Sequence, residues 1–213
     1  VNYLSDKNAA DRVCASIAES GGVAFTHKAD VSDEAQVLNM FETVNSQWGE
    51  ITHLVNNVGI LFTKTELINV SAERFTKTLG TNVLSAFLCS KAFVRQNVSG
   101  GAIVNVSSIA SRTGAPFEYV DYAASKGAMD SFTKGLSLEL AAKNIRVNSV
   151  RPGFIKTDIH ADGGEPGRVE RLRSQIPMQR GGTADEVAQA IAWLLSSQSS
   201  YVTGSFIDLA GGK

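Results

Sequence analysis

The sequence has few cysteines and prolines, no cluster of positive charge and no long apolar run. Its two cysteines, Cys14 and Cys89, are far apart, which favours buried free thiols in a reducing compartment over a disulfide. No run of 18 apolar residues occurs, so no membrane-spanning helix is expected. No secretory signal opens the sequence, and we therefore expect a cytoplasmic protein.

Charge and histidine content exclude further classes of function. The formal net charge is −1 and no basic stripe appears, so nucleic acid is not expected as a partner. The densest basic stretch, residues 168–173, also carries acidic residues and is interpreted as a solvated helix face. His27 and His53 lack ligand partners at a useful spacing, so no catalytic metal is predicted. His160 is expected to face solvent from a loop, with substrate contact as the alternative.

Length and composition fit one domain over residues 1–213, with enough apolar residues, 43%, to build a sizeable core. Short apolar runs alternate with longer segments of helical periodicity. Strands are predicted at residues 1–3, 23–28, 51–55, 102–106, 145–150 and 205–209. Helices are predicted at residues 7–20, 33–48, 71–79, 82–96 and 122–142, and after Thr183 to about Leu195. Ser32 is the predicted cap of the second helix, and Thr183 with Glu186 forms a capping box. The connection 96–101 is short and is predicted to be a tight turn, unless residues are missing there.

This alternation predicts an α/β fold, a Rossmann-like doubly wound parallel sheet with helices on both faces. Ligands of such sheets bind at the carboxyl ends of the strands. The loops that follow the strands are therefore the places to look for chemistry, and polar residues occur in several of them.

Tyr122 and Lys126 are four residues apart on a predicted helix, so their side chains share one face. An unperturbed phenol has a pKa of about 10. A neighbouring ammonium favours the phenolate and lowers that pKa, which makes a general acid/base. Alone, the spacing is a weak signal, and a half-buried tyrosine beside a surface lysine is the alternative interpretation.

Other polar residues stand at strand ends or near helix starts. Ser107 and Ser108 follow the strand 102–106, where a hydroxyl can donate to a substrate oxygen or simply form a turn. Asn57 and Gly59 follow the strand 51–55, and Gly59 permits close backbone approach to a ligand. Asn82 begins an apolar helix, where it is either a cap or an amide with buried partners.

In this order, the segments resemble the short-chain dehydrogenase/reductase family over essentially the whole chain. The matching segments are Asp30-Val31, Asn56-Asn57-Val58-Gly59, Asn82, residues 103–108, residues 122–126, residues 146–153, Thr157, and residues 202–212. Each is modest alone, but together, and in register with the strand ends, they are specific.

The resemblance implies a catalytic tetrad and a cofactor site. Tyr122 is the implied acid/base. Ser108, rather than Ser107, is implied to hold the substrate oxygen. Lys126 is implied to bind the nicotinamide ribose and to lower the Tyr122 pKa, and Asn82 to hold a water of a proton relay. Further cofactor contacts are implied for Asp30, Val31, Asn57, Gly59, Pro152, Gly153, Ile155 and Thr157.

The family's first strand, glycine-rich phosphate loop and helix, about 30 residues, do not precede Val1. The matched residues begin inside the family's second strand. We expect that the sequence covers only the ordered part of a longer protein, with truncation as the alternative. A real loss weakens dinucleotide binding, because the helix N-terminus that holds the pyrophosphate is gone.

The resemblance favours NADP over NAD, although NAD stays possible. Folds selective for NAD carry an acidic residue at the end of the second strand. That position corresponds to Tyr3 here, and Ser5 can donate to a 2′-phosphate. No arginine supports this preference, and Asp6 opposes it if its side chain points inward.

The remaining expectations concern the lid, assembly and function. The resemblance implies that residues 155–177 form a mobile lid over the substrate, and the glycine-rich composition of this stretch is consistent with gating. The resemblance also implies a homodimer or homotetramer built on the Tyr122 helix and the preceding one. The small residues of the Tyr122 helix permit such close packing, and the alternative is that they pack against the chain's own sheet. The expected function is hydride transfer between a nicotinamide cofactor and a small-molecule carbonyl or secondary alcohol. The alternatives are a catalytically silent binding or regulatory protein and, less favoured, an epimerase or dehydratase.

Overall fold

A computed structural model describes residues 1–97 and 100–213. The strands are β1 Asn2–Tyr3, β2 His27–Lys28, β3 His53–Asn56, β4 Gly101–Val106, β5 Ile145–Pro152 and β6 Phe206–Leu209. The helices are α1 Lys7–Glu19, α2 Glu34–Trp48, α3 Ala72–Leu79, α4 Ser85–Gln96, α5 Ala110–Thr113, α6 Val120–Leu140, α7 Ile159–Asp162, α8 Arg168–Leu172 and α9 Ala184–Leu195. The predicted connection 96–101 includes residues 98–99, which lie outside the described residues.

The strands pair in parallel throughout, as the alternation of elements predicts. Within the described chain they form two sheets, β1–β2 and β3–β4–β5–β6, rather than the single sheet expected from the sequence. β3 is an edge strand of the larger sheet, and Val55 on it is exposed. β2 is shorter than predicted, because only His27 and Lys28 of residues 23–28 pair with a neighbour.

Alternation along the central strands separates two apolar cores. Ile103 and Val147 point to one face, where the core also contains residues of α2, α4 and α6. Val104 and Val150 point to the other face, against α9. Successive side chains of a strand point to opposite faces, so apolar residues at neighbouring positions require helices on both sides. This confirms the α/β fold class.

The helix boundaries follow capping side chains, with two differences from the prediction. Thr183 and Glu186 form the predicted capping box of α9. The cap of α2 is Asp33, whose carboxylate accepts from the Gln36 amide. The predicted cap, Ser32, is wrong, since its hydroxyl instead donates to Asp30.

The predicted helices 71–79 and 82–96 form one continuous run. A π-helical turn, Gly80–Leu84, joins α3 to α4. Single π-turns inside helices occur mostly at functional sites, and this one carries Asn82.

Candidate active site

Several sequence-predicted residues lie together at the carboxyl ends of β4 and β5. A cavity of about 890 Å³ opens there. Nine of the predicted site residues line it: Asn57, Gly59, Ser108, Tyr122, Lys126, Pro152, Gly153, Ile155 and Thr157. The strands are parallel and in register, so the loops that follow them meet at one edge of the sheet, as such folds require.

Ser108 and Tyr122 both line the cavity, and the Ser108 side chain lies close enough to Tyr122 to favour its phenolate. Ser108 Oγ accepts from the Ala110 amide at 3.1 Å. Ser107, in contrast, is buried, and its Oγ donates to the Lys126 carbonyl at 3.2 Å. Of the two serines, Ser108 is therefore the one whose hydroxyl is placed to share a ligand oxygen with Tyr122.

Lys126 lies below this pair with only 3% of its surface exposed. Its Nζ donates to the Val106 carbonyl at 2.8 Å and lies 5.5 Å from the centroid of the Tyr122 ring. Burial lowers the pKa of Lys126 to about 8, against an opposing attraction from Asp130.

The pKa of Tyr122 moves in the opposite direction to the one predicted. Burial raises it to about 12, and the hydrogen bond from Ser108 offsets only part of that rise. Desolvation is the largest cause of this rise, and the predicted lowering by Lys126 together with a bound cationic nicotinamide stays a prediction. At neutral pH the phenol therefore keeps its proton.

Asn82 is fully buried in the π-helical turn. Its Oδ1 accepts from the Ile60 amide at 2.7 Å, and its Nδ2 donates to the Ile60 carbonyl and to Ser125 Oγ. The alternative interpretation of Asn82 as a helix cap is wrong. The side chain instead holds the backbone of Ile60, the residue after Gly59. Gly59 itself lies close to Lys126, because a Cβ added at Gly59 would be 3.3 Å from Lys126 Nζ.

The residues predicted for the adenosine side lie apart from this cavity. Tyr3 ends β1 and pairs with Lys28 of β2, and Ser5 is exposed. Asp30 follows β2, and its Oδ1 accepts from the amide and hydroxyl of Ser32. Val31 is buried in the apolar core. None of Tyr3, Ser5, Asp30 and Val31 lines the cavity that holds Tyr122.

His160 lines the cavity and is buried, with 9% of its surface exposed, so the expected solvent-facing position is wrong. Its Nε2 bonds to the Ile155 carbonyl at 2.8 Å, whereas Nδ1 has no partner among the described residues. Burial lowers the pKa of His160. The neutral ring thus forms part of the cavity wall.

Arg168 also departs from the expected solvated face, because only 7% of its surface is exposed. Its guanidinium pairs with Glu118 and with Glu165, the latter at 3.1 Å, and lies over the Tyr119 ring. Both Arg168 and Tyr119 line the cavity, and sequence reasoning missed both. The available signal was the spacing of Val169 and Leu172, since an apolar i, i+3 pair turns one face of a short helix inward.

The described residues contain no helix long and apolar enough to cross a membrane. Within the same residues, no group of three His, Cys, Asp or Glu side chains is arranged to hold a metal ion.

Comparisons with known proteins agree with this geometry. The family model described as enoyl-(acyl carrier protein) reductase matches residues 1–213. The chain is 60% identical over 218 residues to the uncharacterized oxidoreductase YgfF of Escherichia coli K12, covering 100% of this chain and 88% of that protein.

Two solved structures superimpose on nearly the whole chain. NAD⁺-bound xylitol dehydrogenase has a TM-score of 0.89 and 31% identity, covering 97% of this chain and 86% of its own. A blue fluorescent protein from a metagenomic library, in complex with NADPH, has a TM-score of 0.89 and 32% identity, covering 99% and 85%. The likeness read from the motifs is confirmed, and the chain belongs to the short-chain dehydrogenase/reductase family of oxidoreductases.

Proposed function

We propose that this oxidoreductase transfers a hydride between NADP(H) and a carbonyl or secondary alcohol carbon of a small molecule, with Tyr122 as the general acid/base. The observation that carries the proposal is that Ser108, Tyr122 and Lys126 meet at one wall of the cavity, with the Lys126 amine buried beside the Tyr122 ring. A bound nicotinamide supplies or accepts the hydride. The protein supplies position and protons.

The residues present fit a nicotinamide nucleotide. Lys126 has three N–H donors and gives one to Val106, which leaves donors for ribose hydroxyls. Gly59 keeps the space above that amine free of a side chain. Across the cavity, Pro152 ends β5, and Gly153, Ile155 and Thr157 continue the same wall.

Tyr122 and Ser108 are suited to protonating a carbonyl oxygen. With a pKa raised to about 12, the phenol holds its proton at neutral pH and donates it as negative charge develops on the substrate oxygen. Ser108 offers a second donor to the same oxygen. Reduction of a carbonyl is therefore the direction that this arrangement favours at neutral pH. We assign Asn82 the support of a proton relay, since it fixes the backbone beside Lys126.

NADP is the proposed cofactor, and residues near β1 support it. Tyr3 offers no carboxylate to repel a 2′-phosphate. The Asp6 carboxylate is the N-cap of α1 and accepts from the Ala9 amide at 2.8 Å. This side chain is therefore directed to the helix start and not to the position proposed for a 2′-phosphate. One structural neighbour holds NAD⁺ and another holds NADPH, which makes the preference a matter for direct measurement.

The test is the Tyr122→Phe variant, which removes one hydroxyl. We expect turnover to fall by a factor of about 10²–10⁴, the usual contribution of a general acid, while NADPH binding followed by fluorescence stays nearly unchanged. The reaction is followed by NADPH absorbance with a panel of small ketones, aldoses and acyl thioesters, which also defines the substrate class.

Tyr201→Phe is the matched control, because it removes a fully exposed phenol and should leave turnover as in the wild type. Full activity of the Tyr122→Phe variant would refute the assigned acid/base. NADPH binding with no turnover on any carbonyl would instead support a silent binding protein.

A further inference from the structure

Asp130 lies one helical turn beyond Lys126 on α6. Tyr122, Lys126 and Asp130 follow one another at i, i+4 and i+8, a spacing that brings neighbouring side chains to one helix face. Asp130 Oδ2 accepts from Arg151 Nε of β5 at 2.9 Å. Its Oδ1 is buried and has no hydrogen-bond partner among the described residues. Arg151 therefore binds only one of the two Asp130 carboxylate oxygens, and the other has no hydrogen-bond partner among the described residues.

A nearby negative charge stabilises the ammonium form of Lys126, whose other neighbours are neutral groups or charged groups already in ion pairs. Its hydrogen-bond acceptor is the neutral Val106 carbonyl, and burial disfavours the ammonium form. Three arginines on elements packed around α6 are paired with carboxylates: Arg151 of β5 with Asp130 and Asp208, Arg112 of α5 with Asp208, and Arg74 of α3 with Asp121. Among these groups, the attraction that opposes the desolvation of Lys126 comes from Asp130.

We propose that Asp130 is a positioning residue for the reaction, whose buried carboxylate keeps the Lys126 amine charged and in place beside Tyr122. The catalytic consequence rests on the proposed function, since a charged Lys126 is the form that holds the cofactor ribose. The electrostatic part rests on the helical spacing of Lys126 and Asp130 and on the buried, unpartnered Asp130 Oδ1. Asp130 acts through Lys126 and need not touch substrate or cofactor.

The direct test is a titration of the Lys126 side chain by NMR on protein labelled with carbon-13 lysine. The Lys126 signal is assigned by its loss in Lys126→Arg. We expect a pKa of about 8 in the wild type and a value lower by about one unit in Asp130→Asn, the usual effect of one nearby opposite charge. Asp130→Glu keeps the charge and should restore the wild-type value to within a few tenths of a unit.

Two further variants separate this role from a structural one. Asp208→Asn removes the other carboxylate that pairs with Arg151 and should leave Lys126 unshifted. Arg151→Gln removes the cation that compensates Asp130 and should raise the Lys126 pKa. The Arg151→Gln result stands even if Asp130→Asn fails to fold. The inference is overturned if Asp130→Asn moves Lys126 no further than Asp208→Asn, or if Arg151→Gln lowers the Lys126 pKa or leaves it unchanged.

A pH–rate profile links the titration to catalysis. With NADPH and the carbonyl of the substrate panel that the wild type reduces fastest, activity should decline at alkaline pH as Lys126 loses its proton. In Asp130→Asn that decline should begin about one pH unit lower, with activity recovered at more acidic pH. A uniform loss of rate at every pH would contradict the proposal. If Tyr122→Phe stays active, the proposed function fails whatever the NMR shows; if it is inactive and Lys126 does not shift, only this inference fails.

Discussion

At the level of a single side chain, the proposed preference for NADP rests on Tyr3. It ends β1 beside β2, where folds selective for NAD carry an acidic residue that binds the ribose 2′-hydroxyl. We expect NADPH to bind more tightly than NADH in the wild type. Tyr3→Asp should weaken NADPH binding at least tenfold by charge repulsion, with NADH binding unchanged or improved. Fluorescence titration of both nucleotides measures this.

Tyr3→Asn is the control for that substitution, because it has nearly the same size as aspartate without the charge. It should leave the preference for NADPH in place. Tighter binding of NADH by the wild type would contradict the interpretation of Tyr3 and Ser5.

Single-residue spacing predicted which groups meet, but not their protonation. The interval between Tyr122 and Lys126 and the position of Ser108 after β4 follow from helix and strand periodicity, so their meeting was predictable. The raised pKa of Tyr122 was not, because it depends on whether burial or the neighbouring ammonium dominates. The burial of His160 was missed for a similar reason, since it depends on how the lid packs.

At the level of elements, the segment predicted to form a lid, residues 155–177, makes ion pairs with residues outside it. Arg168 of α8 pairs with Glu118, which precedes α6, and Arg171 pairs with Glu165. Glu165 also pairs with Lys64 at 3.3 Å, and Tyr119 donates to the Gly163 carbonyl at 3.1 Å. The contacts therefore join the lid to both sides of the cavity.

Glu118→Gln should loosen the lid. The change removes the charge of one partner of the buried Arg168, which retains Glu165, so we expect the free energy of unfolding to fall by about 1–2 kcal/mol. Urea unfolding measures this, and limited proteolysis should cut within residues 155–177 faster. KM should rise more than kcat falls, because closure contributes to binding.

Glu34→Gln is the matched control, since it removes one partner of an exposed pair with Lys91. Such a pair contributes about 0–1 kcal/mol, and proteolysis of the lid should not change. If both variants are cleaved at the wild-type rate, the ion pairs do not hold the lid.

Elements were predictable in type more than in extent. The apolar periodicity of α1, α2, α6 and α9 identified each of them, because one face of each helix must be buried. The π-turn between α3 and α4 left no mark in that periodicity, since it depends on the contacts of Asn82 with Ile60 and Ser125. Pairing of β1 and β2 apart from the other strands is likewise a property of tertiary contacts.

At the level of the whole molecule, one face of α6 is exposed to solvent and is a candidate interface between copies of the chain. Ala124, Ser131, Gly135 and Leu138 are exposed along it at helical spacing, so these residues do not pack against the chain's own sheet. Phe87 of α4, itself half exposed, contacts Phe132 of α6 edge-on, which extends the apolar surface across both helices. Small residues permit close approach of another helix, and a twofold axis places the same face on both partners. We therefore propose a homodimer or homotetramer joined through α4 and α6.

Gly135→Leu tests this assembly without disturbing the monomer. A Cβ at Gly135 meets no other described atom within 4 Å, and replacing a helical glycine stabilises the helix by about 0.5–1 kcal/mol. The melting temperature of the monomer should therefore stay level or rise. The larger side chain should at the same time prevent the α6 helices of two copies from packing together. Light scattering after size exclusion should show two or four times the monomer mass for the wild type and the monomer mass for Gly135→Leu. Gly135→Ala, which adds one methyl group, should remain assembled. A wild type that is monomeric at micromolar concentration, or a Gly135→Leu variant that assembles as well as Gly135→Ala, would show that α6 does not form the interface.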